Sequence, residues 1–227
     1  MARRRKARLG PTLLAAALLV GLGVAASWSL SRVDVPLLTG RIPAVAHDAY
    51  RLASAAAGSV APACRVDWTI LAGIGQVESR HGRIDERHVV GRDGAVTPAI
   101  RGRALDGRGG TEPIRDTDDG TLDGDASWDR AMGPLQFIPT TWRELGRDGN
   151  GDGVADPDNL YDAALTAVAH LCLREPGDYA RRAELRRALV AYNASGAYAD
   201  EVLGWIDEYR SRPLDEVVEG ATTSAPA

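Results

Sequence analysis

One stretch constrains this chain more than any other: Ile70-Leu71-Ala72-Gly73-Ile74-Gly75-Gln76-Val77-Glu78-Ser79-Arg80-His81-Gly82. Ile70, Leu71, Ile74 and Val77 recur at the spacing of one buried helical stripe. Asp67 stands where an N-cap belongs and Gly82 where a C′ residue belongs, so the spacing predicts a helix between them. Glu78 follows Ile74 by four and Leu71 by seven, which sets it on or beside the apolar stripe. A carboxyl held against apolar walls loses hydration in its charged form, so its pKa should rise. A carboxyl protonated near neutral pH is what a general acid needs. Gly73 and Gly75 each cost a helix roughly 1 kcal/mol relative to Ala. Two in one turn point to the close approach of another element or of a ligand. The plainer alternative is a core helix with one Glu at its edge, tied to an Arg.

The first thirty residues are a separate matter. Arg3, Arg4, Arg5, Lys6 and Arg8 precede an uncharged apolar run over residues 9–30. This is the pattern of an export signal or a retained anchor, with small residues at Ala25-Ala26-Ser27 that would permit cleavage. Either way the rest of the chain is expected outside the cytoplasm, with the cytoplasmic membrane as a partner of the N-terminal segment. Without those five basic residues the formal charge falls from −4 to −9. An acidic exported domain is a poor nucleic-acid binder. The two cysteines, Cys64 and Cys172, lack the His spacing of a zinc site, and in an oxidising compartment they are expected to form a disulfide rather than remain buried thiols.

Residues 31–42 read as a tether. Pro43 opens a helical stretch to about Gly58, and the single mainly α domain is expected to span residues 43–212. Between 82 and 125 periodicity disappears and Gly, Asp, Arg and Pro dominate, as in Asp116-Thr117-Asp118-Asp119-Gly120. This long irregular insert is read as wrapping one side of a cleft, with linker as the alternative. Then Ala131-Met132-Gly133-Pro134-Leu135-Gln136-Phe137 places an amide among large apolar residues. Gln136 must either satisfy its own backbone or face a polar ligand. Pro139 fits the first turn of a further helix. Later helices carry Ala164, Leu165, Val168, Leu171 and Cys172, then Leu185, Ala188, Leu189 and Tyr192, then Val202, Leu203, Ile206 and Tyr209. Pro213 stops the last of them, and residues 213–227 are expected to be a disordered tail.

Asp148-Gly149-Asn150-Gly151-Asp152-Gly153-Val154-Ala155-Asp156 has the spacing of an EF-hand loop. Asp148, Asn150 and Asp152 would be ligands, Val154 would offer its carbonyl and Asp156 would follow. The last position is Asn159 instead of Glu, which predicts a weak site for Ca2+ unless Asp158 or Asp162 compensates. Asn159 or Asp158 would also cap the next helix.

Four segments in fixed order, Glu-Ser-Arg-His-Gly at 78–82, Ala-Met-Gly-Pro-Leu-Gln-Phe at 131–137, the calcium-type loop and Ala-Tyr-Asn at 191–193, resemble the membrane-bound lytic murein transglycosylase B family in its short actinobacterial form. The likeness covers residues 60–210. It implies a lysozyme-like fold and cleavage of the MurNAc-β-1,4-GlcNAc bond of peptidoglycan with formation of 1,6-anhydroMurNAc. By that resemblance Glu78 is the catalytic carboxyl, Ser127, Gln136, Tyr192 and Asn193 contact the glycan, and calcium is structural, with no organic cofactor. Two other readings stand beside it. One is a hydrolytic muramidase whose water is activated by an insert Asp among 116, 118, 119, 123 and 125. The other is a calcium-dependent wall-binding module without turnover.

Overall fold

The computed structural model describes residues 40–221. The predicted leader or anchor and nearly all of the tether lie outside the described residues. Among those described, no helix is long and apolar enough to cross a membrane. The order is α1 (Ala44–Val60), α2 (Trp68–Ser79), β1 (Val89–Val90), β2 (Val96–Thr97), β3 (Arg101–Ala104), β4 (Arg130–Met132), α3 (Pro139–Leu145), α4 (Leu160–Arg174), α5 (Arg182–Tyr192), α6 (Gly196–Ser211) and α7 (Leu214–Val217). The result is mainly helical, as the periodicity predicts.

Helix α2 is the hub. Asp67 caps it by accepting from Thr69 N–H at 3.1 Å, and residues 69–75 are all buried. It packs on α1 and α6, while α1 also packs on α4 and α5 spans α4 and α6. The paired glycines serve close approach of helices. A methyl on Gly73 would lie 2.8 Å from Ile206 Cγ1 and 3.0 Å from the Val202 carbonyl of α6. A methyl on Gly75 would collide with the Tyr50 hydroxyl of α1. The helix ends earlier than Gly82 predicts. Arg80 (φ 54°) and His81 (φ 61°) already turn left-handed before Gly82 (φ 83°). Their N–H groups donate to the Gln76 and Gly75 carbonyls at 3.1 and 2.8 Å.

Cys64 and Cys172 form a disulfide across a separation of 108 residues, tying the approach to α2 to α4. The insert is ordered rather than a linker. Its two antiparallel pairs are β1–β2 and β3–β4, with Arg101 opposite Met132 and Ala104 opposite Arg130. Between them the chain is held by aspartates that accept from backbone N–H groups. Asp123 accepts from Arg130 N–H at 2.6 Å, and buried Asp129 accepts from Thr117 N–H at 2.9 Å. Arg101 reaches out of the insert to grip Asp158 with two bonds of 2.7 and 2.9 Å.

The expectation of a disordered tail from residue 213 needs correcting for residues 213–221. Pro213 does end the preceding helix, but α7 follows. Val217 and Val218 are 1% and 3% exposed, and Val218 bridges Ile42 in parallel register. Glu219 pairs with Arg83 at 2.7 Å. Apolar burial and an ion pair hold these residues where composition alone signals disorder.

Candidate active site

Glu78 sits in the last turn of α2, mostly buried, at a groove of about 600 Å3. The opposing walls come from Gln136, Phe137, Ile138 and Thr141 before and within α3, His170 of α4, and Tyr192 and Asn193 at the end of α5. Leu105, Glu112 and Ile114 of the insert also line it. A larger cavity of about 760 Å3 lies by the N-terminal end of α2, lined by Ser54, Arg65, Asp67 and Arg210 among others. Of the predicted site residues it includes only the disulfide cysteine Cys64, and none of those expected to contact glycan or metal.

The Tyr198 hydroxyl donates to Glu78 Oε1 at 2.7 Å. Burial drives the Glu78 pKa up to about 7, and this hydrogen bond to the carboxylate pulls against the rise. Tyr198 itself is raised well above the ordinary tyrosine value by burial and by the facing Glu78 charge, so its hydroxyl remains a donor. Tyr198 lies parallel to Tyr192, with centroids 6.3 Å apart. Tyr192 meets His170 edge-on at 4.8 Å and Phe137 at 5.7 Å. These rings make an apolar wall with polar edges, suited to a sugar's mixed faces. The Tyr192 hydroxyl donates to the Leu135 carbonyl at 3.1 Å. That bond ties α5 to the loop carrying Gln136.

Gln136 has φ 52°. Its Nε2 donates to the Gly133 carbonyl at 2.8 Å, so the amide satisfies its own turn while the residue lines the groove. Ser79, next to Glu78, donates to the Pro134 carbonyl at 2.6 Å and accepts from Gly82 N–H at 2.7 Å. The same turn is thereby fixed against the end of α2. His170 is 9% exposed and burial lowers its pKa to about 4, so the ring is neutral.

Glu78, Gln136, Tyr192 and Asn193 are therefore brought to one groove. Ser127 is not among the residues lining it. It is exposed within the insert, where its N–H donates to Asp125 at 3.0 Å and its carbonyl accepts from Asp116 N–H. Nor does the groove include Asp116, Asp118, Asp119, Asp123 or Asp125. Asp116, Asp118, Asp123 and Asp125 accept from backbone N–H groups of the insert. Tyr198 and His170 were not singled out from the sequence.

In the 148–156 loop, Asp148 accepts from Gly151 and Gly153 N–H at 2.7 and 2.8 Å. Asn150 Oδ1 accepts from Asp152 N–H, Asp152 Oδ1 from Val154 N–H, and Asp156 Oδ1 from Asp158 N–H. The expected last ligand, Asn159, is engaged elsewhere. Its Oδ1 caps α4 through Tyr161 N–H at 2.9 Å and its Nδ2 donates to the Asp93 carbonyl at 3.0 Å. Asp158 is committed to Arg101. Asp162 is the acid that reaches the loop. It is 0% exposed and accepts from Gly149, Asn150 and Asp156 N–H at 2.8, 3.2 and 2.9 Å. Among the described residues, the group of three acids whose oxygens lie within 4.8 Å of one another is Asp116, Asp118 and Asp129, in the insert.

The chain matches the family described as the Transglycosylase SLT domain over residues 44–177, more than half its length. The match runs from the start of α1 to just past α4 and includes Glu78, Gln136 and the acidic loop. Tyr192, Asn193 and Tyr198 lie beyond it. No curated protein and no solved structure matches the chain.

Proposed function

The chain belongs to the transglycosylase SLT family, and from that premise we propose a lytic transglycosylase of peptidoglycan that works with Glu78 as its one acid–base group. The family carries the coarser statement, a transglycosylase acting on peptidoglycan and therefore at the cell wall. The single observation supporting the finer one is the Glu78 carboxyl, set in an aromatic-walled groove with its pKa raised to about 7. Protonated Glu78 donates to the glycosidic oxygen as the MurNAc–GlcNAc bond breaks. Positive charge develops at muramic C1, where the substrate's own N-acetyl group can stabilise it without a second carboxylate. Glu78, now a base, takes the proton of the muramic 6-hydroxyl, which closes on C1 as the 1,6-anhydro product. Tyr198 holds Oε1, so the transferred proton belongs to Oε2. Gln136, Tyr192 and Asn193 line the path of the glycan, and aligning it beforehand removes entropy from the barrier.

The hydrolytic reading is less well supported, because the insert aspartates that would activate water lie outside the groove. Mass spectrometry of digested sacculi separates the two. Anhydro-muropeptides, lighter by one water, are expected; reducing-end products alone would overturn the proposal in favour of hydrolysis. Wall binding without any released sugar would favour the binding module.

The 148–156 loop has an all-oxygen donor set that suits a hard cation. We assign Asp148, Asn150, Asp152, Asp156 and the Val154 carbonyl to it, with Asp162 in place of Asn159. Bound Ca2+ would neutralise the acidic loop that joins α3 to α4. It would take no part in the bond-breaking step.

A further inference from the structure

The C-terminal turn of α2 has a second link to α6 that the proposed reaction does not use. His81 is 1% exposed and sits at φ 61°, a conformation that costs a side chain of this kind energy. Its Nδ1 lies 3.1 Å from the Tyr50 hydroxyl of α1. Its Nε2 lies 3.1 Å from the Tyr209 hydroxyl of α6. Tyr209 in turn donates to Gln76 Oε1 of α2 at 3.3 Å.

One protonation pattern satisfies every group in this chain. The Gln76 oxygen only accepts, so Tyr209 spends its single proton there. The Tyr209 oxygen can then only accept from His81, which fixes the proton on Nε2. Nδ1 is left bare and takes the Tyr50 proton. Burial and the nearby Arg83 charge lower the His81 pKa to about 3, so this neutral ring persists at any pH the cell wall sees.

Tyr209 and Tyr198 are three helical turns apart and so share one face of α6. Gln76, Glu78 and His81 belong to the last turn of α2 and the residues after it. Two bridges therefore join the C-terminal end of α2 to α6: Glu78 to Tyr198, and Gln76 with His81 to Tyr209. We propose that His81 is a positioning residue, its Nε2-protonated ring clamping the end of α2 between Tyr50 and Tyr209 so that Glu78 meets the Tyr198 hydroxyl. The inference rests on Glu78 being the working acid, but its geometry can be tested without turnover.

The test is the titration midpoint of Glu78, read by carboxyl carbon NMR and assigned by its loss in Glu78→Gln. Tyr198→Phe removes the donor and should raise the midpoint by about one pH unit. His81→Phe keeps an aromatic ring but removes both nitrogens and should raise it in the same direction, with no further rise when Tyr198→Phe is added. His81→Phe also buries two hydroxyls with a missing partner and is expected to melt earlier. The triple variant Tyr50→Phe, His81→Phe, Tyr209→Phe removes those hydroxyls and should recover stability while keeping the raised midpoint. A merely structural His81 predicts an unmoved midpoint, and that result in folded His81→Phe or in the folded triple variant overturns the proposal. Sugar release by the wild type is scored separately. An inert wild type with shifted midpoints would sink the enzymatic reading and leave the clamp standing.

Discussion

The site turns on how one carboxyl is held. Glu78 was legible in the sequence because helical spacing placed it on an apolar stripe, and its raised pKa follows from burial. The sign of its effect on stability is then fixed. Between about 4.5 and about 7 the unfolded chain releases this proton before the folded one does, so stability falls as pH rises through that window and stays lower above it. Glu78→Gln should abolish glycan cleavage and also stabilise the protein at pH 8, by at most about 3 kcal/mol, with no gain at pH 4. Thermal melts at the two pH values check this. Tyr198→Phe removes the group that favours the carboxylate. The acid then stays protonated to higher pH, and the alkaline limb of the rate profile should move upward. An unmoved limb would mean that Tyr198 does not touch the working acid. Tyr198 escaped the sequence reading because the bond spans 120 residues. Nothing local to either residue predicts that α2 and α6 will lie side by side.

Elements differ in how openly their cause is written. Helices α2, α4, α5 and α6 bury apolar stripes that the spacing already displays. The insert shows no such stripe, because it is held by aspartate-to-backbone bonds and by Arg101 on Asp158. A hydrophobic pattern is blind to that kind of order. The spacing marks the acidic loop, but which side chain would complete a cation site there is a matter of packing. Asn159 faces the helix it caps, and buried Asp162, three residues on, meets the loop. Added Ca2+ is accordingly expected to raise the melting temperature of the wild type. Asp148→Ala with Asp152→Ala should remove the response, as should Asp162→Asn, whereas Asn159→Asp should leave it in place. A melt indifferent to Ca2+ and to chelator would reject the assignment. The disulfide closes a long loop between α4 and the approach to α2. Replacing Cys64 and Cys172 together by Ala should cost about 2–4 kcal/mol, read by denaturant unfolding.

For the molecule as a whole, the two ends of the described chain meet. Ile42 bridges Val218 just ahead of α1, Arg41 donates to the Val218 carbonyl at 2.8 Å, and Arg83 joins Glu219. Ending the chain after Arg212 should therefore destabilise it by about 2–4 kcal/mol, chiefly through the lost burial of Val217 and Val218. A truncated protein that melts with the wild type would contradict that packing. The sequence by itself displayed the helices before Pro213, the two cysteines that pair, and the positions of Glu78 at the end of α2 and of Gln136 among apolar residues, since each depends on spacing or on the number of candidates. It could not decide that Ser127 stays away from the groove, that His170 lines it and Tyr198 bonds Glu78, or that residues 213–221 fold back. Those outcomes depend on which helix faces which. Pairwise packing at long separation settles that, through features such as the absent side chain of Gly73 that lets α6 come close enough for its tyrosines to reach Glu78 and His81.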